Sequence, residues 1–250
     1  MFYSNKLKKI KHIKHCFFSK KNGFSKGIYK SLNCGKGSKD NRNNIYKNLN
    51  FVAKKMGVKK NKLILMHQSH SNKVVEVKKY NFKNKINADA IITKMNDIAI
   101  GVLTADCVPI IICDVRSKIV GCIHAGWRGA FSGIIYNTIK KIKKSNSNNK
   151  IYASVGPCIG EKNYEVDIKF YEKFVSKSWK NKIYFRHKSK TKKLFDLRKF
   201  VTDKLLKLNV KVDQIKKDTF TEKSNFFSYR RSRKLKQKDY GRCISTVRLI

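Results

Sequence analysis

Apolar residues along the chain gather in short runs, rich in valine and isoleucine, between lysine- and asparagine-rich stretches. Short apolar runs with β-branched enrichment predict strands. They fall near 62–67, 73–78, 88–93, 98–104, 108–114, 118–124, 150–155, 182–186 and 242–249. Three other stretches, 129–144, 167–179 and 196–209, repeat apolar positions at helical spacing. In the first, Ile134, Ile135, Thr138, Ile139 and Ile142 share one face and lysines close the last turn. Asp167 and Asp196 stand where N-caps belong. Strands do not alternate strictly with helices, which argues against a Rossmann or TIM arrangement. The pattern predicts an α+β fold: layered mixed β-sheets covered by helices. A chain of 250 residues with two prolines, no Gly/Ser-rich linker and no internal repeat predicts a single domain over 1–250. A domain of that size can bury about three-quarters of its unfolded surface.

Charge changes this picture less than its size suggests. The formal net charge is +43, which invites a nucleic-acid reading. Of 59 basic residues, however, 49 are lysine and 10 arginine, and they spread along the whole chain. Asparagine is abundant too, and both residues share A-rich codons. The pattern predicts a solvated basic surface with salt-sensitive adhesion to polyanions, and no specific nucleic-acid partner. Seven cysteines, an odd number without a C-x-x-C, predict reduced thiols in a cytoplasmic protein. No apolar run approaches the roughly 18 residues of a membrane span, and the N-terminal stretch lacks an apolar core of signal-peptide length.

The chemistry-bearing residues sit at the ends of the predicted strands. LTADCVPIIICD (103–114) carries Cys107, and KIVGCIHAGWRG (118–129) carries His124. A thiol and an imidazole so placed can form a nucleophile–base pair or supply two ligands to zinc or copper. LMHQSHSNKV (65–74) adds His67 and His70 at another strand junction. On an extended strand these two point to opposite faces, so only one is expected as a ligand. Two His and one Cys leave a fourth position open, as catalytic zinc sites do. The long spacing of 70, 107 and 124 is no signal by itself. In HAGWRG, Gly126 and Gly129 let the chain turn out of a strand, the helix-opening amides can bind an anion, and Arg128 adds a fixed charge. Asp106 and Asp114 flank a strand and need partners. VGPCIGEKNYEV (155–166) reads as a loop able to approach a ligand. NFFSYRRSRKLKQKDYGR (225–242) sets aromatics beside Arg230, Arg231 and Arg233, which suits a stacked base and an anion.

Together and in this order, HQSHSNKV, NADAIIT, LTADCVPIIICD, IHAGWRG, GPCIGEKNYEV and FFSYRR…GR resemble the laccase-domain family. That family is named for multicopper polyphenol oxidoreductases and is also described as purine nucleoside phosphorylases. FFSKKNGFSKGIYKSLNCG (17–35) is similar to the family's opening segment, so the resemblance covers nearly the whole chain. It implies one zinc or copper ion held by His70, Cys107 and His124. It implies purine nucleoside and phosphate as substrates: adenosine, inosine or methylthioadenosine cleaved to base and sugar 1-phosphate, with adenosine also deaminated. The usual signature of zinc nucleobase deaminases is absent. Catalytic candidates are Cys107, His124, Asp106 and Arg128, and Lys20, Arg128 and Arg230 are candidates for the phosphate. Asp106 or Asp89 is expected to act as a base or to orient a ligand histidine. Two other readings stand beside this one. In the first, Cys107 is the nucleophile of a Cys–His hydrolase or amidase, because the resemblance implies a fold shared with bacterial toxins that deamidate glutamine with such a pair. The second is a copper-dependent phenol oxidoreductase, disfavoured by a total of six histidines. The chain departs from the family pattern at Lys20, where arginine is usual, and at Asp218-Thr219, where Cys-Thr is frequent. Arginine and lysine bind anions differently, so Lys20 bears on affinity more than on chemistry.

Overall fold

The computed structural model of the chain describes residues 1–78, 85–144 and 149–250. At its centre lies a six-stranded sheet ordered β12 (Lys211–Gln214), β8 (Ile151–Val155), β6 (Val108–Asp114), β7 (Ile119–Ala125), β4 (Ala90–Thr93) and β3 (Val74–Val77). The outermost pairs are parallel and the inner ones antiparallel. Both faces are covered. Ile110, Ile112 and Ile123 face α3 (Ile134–Lys143) and α5 (Leu197–Leu206). Ile111, Cys113 and Val120 face a second sheet through Ile100, Val102 and Val247. Burial on two sides is why Ile110–Cys113 is continuously apolar rather than alternating.

The second sheet runs β1 (Ile13–Phe17), β13 (Cys243–Leu249), β5 (Ala99–Thr104) and β2 (Leu63–Leu65). Its far face carries α1 (Arg42–Met56), whose Ile45, Leu49, Val52 and Met56 pack on Cys16, Ala99 and Ile244. The layers are therefore helix, sheet, sheet, helix. A third, antiparallel sheet of β10 (Phe185–His187), β11 (Lys192–Phe195) and β9 (Glu165–Asp167) joins α4 (Ile168–Lys177) around stacked Phe170, Phe174, Phe185 and Phe195. This is the expected α+β arrangement of layered mixed sheets. Among the described residues no helix is long and apolar enough to cross a membrane.

Eight of the nine expected strands lie within two residues of observed ones. The stretch 182–186 instead ends a 3-10 turn, Trp179–Tyr184, and enters β10. Asp167 and Asp196 do cap α4 and α5, accepting the amides of Phe170 and Lys199. The helix expected over 129–144 is two helices, α2 (Trp127–Ser132) and α3, because Gly133 adopts φ 102° between them. That conformation is open to glycine and ends the first helix.

Candidate active site

Strand register brings the chemistry together. Val108 pairs with Ala125 across β6 and β7, so one residue further out Cys107 lies beside Gly126. Ala90 pairs with Ile123 across β4 and β7, which sets Asp89 beside His124. His70 arrives from the loop ahead of β3. The ligand atoms of His70, Cys107 and His124 all lie within 4.8 Å of one another, the one such group among the described residues. His67 does not join them; it is exposed, with its backbone paired to Ile86 and Ala88.

The geometry suits a single ion. Cys107 Sγ lies 3.8 Å from His70 Nε2, close to the roughly 3.5 Å that tetrahedral zinc imposes between sulfur and nitrogen ligands. His124 Nδ1 lies 2.8 Å from Asp89 Oδ1, which leaves Nε2 available to an ion. Burial falls from His124 through half-buried Cys107 to exposed His70, so the group opens to solvent on the His70 side. A Cβ on Gly126 would stand 2.8 Å from His70 Cδ2 and 2.9 Å from Cys107 Sγ, so glycine is required there by close approach. Its φ of −69° is ordinary, so the turn needs no special conformation at Gly126. A thiolate with two imidazoles fits zinc or copper.

Electrostatics single out one thiol. Burial opposes ionisation of Cys107, but the His124 and His70 imidazoles prevail and bring it down to about 6. Burial likewise works against the charged form of His124, yet the Cys107 thiolate and the Asp89 carboxylate raise it to about 9. Burial pushes Cys16, Cys113 and Cys158 up to about 12, and it also raises Cys34, Cys122 and Cys243. The metal-free protein is therefore expected to alkylate at one of its seven cysteines near neutral pH. Because the thiolate form is lost as pH falls, the rate should drop below about 6. Brief iodoacetamide treatment followed by peptide mass spectrometry reads this out, and saturating zinc should protect the residue. Uniform labelling of all seven would contradict the assignment.

Around this group stand the remaining expected residues. Asp106 is buried, and its carboxylate accepts from Thr219 Oγ1 at 2.6 Å, Ser228 Oγ at 2.9 Å and the Arg230 amide at 2.6 Å. It thereby ties the turn before Cys107 to α6 (Tyr229–Lys234) and all its short contacts are internal. Arg230 donates one guanidinium N–H to the Glu165 carbonyl at 2.8 Å and lies over the Tyr164 ring. Arg128 is exposed and lies over Trp127. Lys20 carries its ammonium over the Phe227 ring, with Arg231 nearby. Arg231 is bound to the carbonyls of Thr219, Phe220 and Phe226. Asp218 accepts from the Gly160 and Phe220 amides at 2.9 Å and from Asn163 Nδ2 at 2.6 Å, so it clips the 155–166 loop in place. One residue escaped the sequence reading. The phenol of Tyr164, raised by burial, feels Cys107, Arg230, Asp106 and Arg128 at once. Its only sequence signal was membership of the GPCIGEKNYEV loop.

Layered mixed sheets with one thiol and two imidazoles gathered at strand ends define a protein of the laccase-domain type. The chain belongs to the family described as multi-copper polyphenol oxidoreductase laccase, which matches residues 14–250. It is 31% identical to purine nucleoside phosphorylase YfiH of Escherichia coli over 246 residues, 96% of this chain and 95% of that protein. It is 33% identical to a purine nucleoside phosphorylase of Haemophilus influenzae over 223 residues, 87% of this chain and 88% of that one. The crystal structure of a Neisseria meningitidis protein superposes with a TM-score of 0.84 at 28% identity, covering 96% of this chain and 95% of that one.

Proposed function

We propose that this chain is a zinc- or copper-dependent purine nucleoside phosphorylase acting on adenosine, inosine or methylthioadenosine, and that the same site deaminates adenosine. The observation that carries the reading is the His70–Cys107–His124 group with two arginines, Arg128 and Arg230, disposed about the neighbouring Tyr164. Relatives over nearly the full length bear the phosphorylase name.

Phosphorolysis forms a bond from a phosphate oxygen to the sugar C1′ and breaks the C1′–N9 bond, with its electron pair leaving on the purine, which takes up a proton. An ion held by His70, Cys107 and His124 would supply Lewis acidity. The protein must hold a phosphate dianion beside the sugar, and guanidinium groups do this with paired donors. Among the described residues Arg230 has one N–H committed to the Glu165 carbonyl, which leaves other guanidinium donors for an anion. Arg128 is the second cation, and Lys20 adds positive potential. Asp106, accepting from three donors, would tie the turn before Cys107 to the Arg230 backbone. The Tyr164 phenol, kept neutral by burial, would donate to the purine or the phosphate.

Incubating purified protein with adenosine, with and without phosphate, tests the reaction. Free adenine that requires phosphate supports the reading, and its absence from the zinc- and copper-loaded protein overturns it. Arg128→Ala is expected to raise KM for phosphate about tenfold, equivalent to about 1.4 kcal/mol, while bound metal stays stoichiometric. Metal loss in that variant would make the residue structural.

One observation favours a second reading. Cys107, His124 and Asp89 also stand in the order of a nucleophile, its base and an orienting carboxylate, with His124 Nδ1 to Asp89 Oδ1 at 2.8 Å. An amidase of that kind would keep its activity after chelation, whereas the phosphorylase would lose it.

A further inference from the structure

We propose that Asp89 is a positioning residue that sets both histidine ligands at once, so that the metal affinity of the site depends on this single carboxylate. The inference rests on reading His70, Cys107 and His124 as a metal site.

Asp89 is fully buried, immediately ahead of β4. Its Oδ1 accepts from His124 Nδ1 at 2.8 Å and from the His70 amide at 3.0 Å. Its Oδ2 accepts from the Ser71 amide at 2.6 Å, the Ser71 hydroxyl at 2.7 Å and the Ser69 amide at 3.2 Å. Three consecutive amides thus wrap one carboxylate, and the residue in the middle of them is a ligand. His70 sits at φ 61°, a left-handed conformation that a residue with a Cβ keeps only when its surroundings hold it. On the other side, a carboxylate accepts and cannot donate, so the proton of neutral His124 lies on Nδ1. Nε2 is then the nitrogen turned toward Cys107 and His70. The His124 amide also donates to the Asp89 carbonyl at 2.8 Å, so backbone pairing fixes the height of the ring as well. One acid therefore determines the backbone of one ligand and the tautomer and orientation of another, across two elements far apart in sequence.

Asp89→Asn keeps the volume but turns an NH2 group against either the amide cluster or the imidazole N–H. Zinc affinity, measured on the purified full chain by competition with a chelating dye and without substrate, is expected to fall by about 10- to 100-fold. Asp114→Asn is the control. Asp114 is equally buried at the far end of β6 and accepts from the Arg116 amide, Asn149 Nδ2 and the Lys150 amide. It should lose thermal stability and retain its zinc affinity. Asp89→Asn with affinity within about threefold of wild type overturns the proposal, and so does an equal loss in Asp114→Asn. Should Asp89→Asn fail to fold, nitrogen-15 NMR of the zinc-loaded wild type decides. A His124 protonated at Nδ1 and bound through Nε2 supports the proposal, and the opposite tautomer overturns it. Wild-type protein that takes up no zinc would overturn the three-ligand reading and this inference with it, a result distinct from retained affinity in the variant.

Discussion

Cys107→Ala is expected to remove bound metal and nucleoside cleavage together. Losing a group that merely orients a ligand costs about 10- to 100-fold in affinity, and losing the only thiolate of a three-ligand set must cost more. The side chain is half-buried beside two imidazoles, so its removal leaves room for water rather than a collapsed core. The fold should therefore survive. His70→Ala and His124→Ala should behave alike, with His124→Ala the less stable because it also leaves the buried Asp89 without its imidazole partner. His67→Ala should change little, since that side chain is exposed and, among the described residues, its backbone alone is engaged. Elemental analysis of the four purified variants reads the result. Stoichiometric metal in Cys107→Ala would sink the ligand assignment and leave the Cys107–His124–Asp89 order of an amidase as the better account.

How far the sequence revealed this site depended on which kind of signal each residue carried. Cys107 and His124 were legible because each interrupts or ends a β-branched run, and strand ends are where side chains become available for chemistry. The strands themselves were legible because burial on both faces makes their runs apolar throughout. Segments whose lysines and asparagines mask the pattern were not seen. Helix α1 has Asn41 capping its start, Gly57 at its end and Ile45, Leu49, Val52 and Met56 at helical spacing. Those four stand among polar residues in a chain dominated by the same polar residues. Strands β9, β11 and β12 are three or four residues long and carry charge, too short for a period of two to register. Asp89 and Asp106 stood out as acids without a settled role, but periodicity cannot show which donors converge on a buried carboxylate. Tyr164 and the third sheet around it depend on packing between segments distant in sequence.

Gly126 shows the same limit in one residue, because its purpose is steric and lies outside its own backbone. Its dihedrals, φ −69° and ψ 164°, are ones alanine adopts freely. A substitution to alanine therefore carries no conformational strain and should leave the melting temperature nearly unchanged. The added Cβ, however, would lie 2.8 Å from His70 Cδ2 and 2.9 Å from Cys107 Sγ. The His70 and Cys107 side chains must then move apart from the methyl group, and a misplacement approaching 1 Å can cost a reacting centre about a hundredfold in rate. Gly126→Ala is thus expected to remain folded, bind zinc weakly and lose about two orders of magnitude in phosphorolysis. Gly133→Ala supplies the opposite case. There φ is 102° and no atom of the described residues lies within 4 Å of the place a methyl group would take, so the cost is conformational and should appear as lower thermal stability with metal affinity intact. Comparing the two by thermal unfolding and zinc titration separates crowding of the ligands from strain in the chain. Full zinc affinity in Gly126→Ala would show that the three side chains adjust to the methyl group, and the close approach would then not be what limits the site.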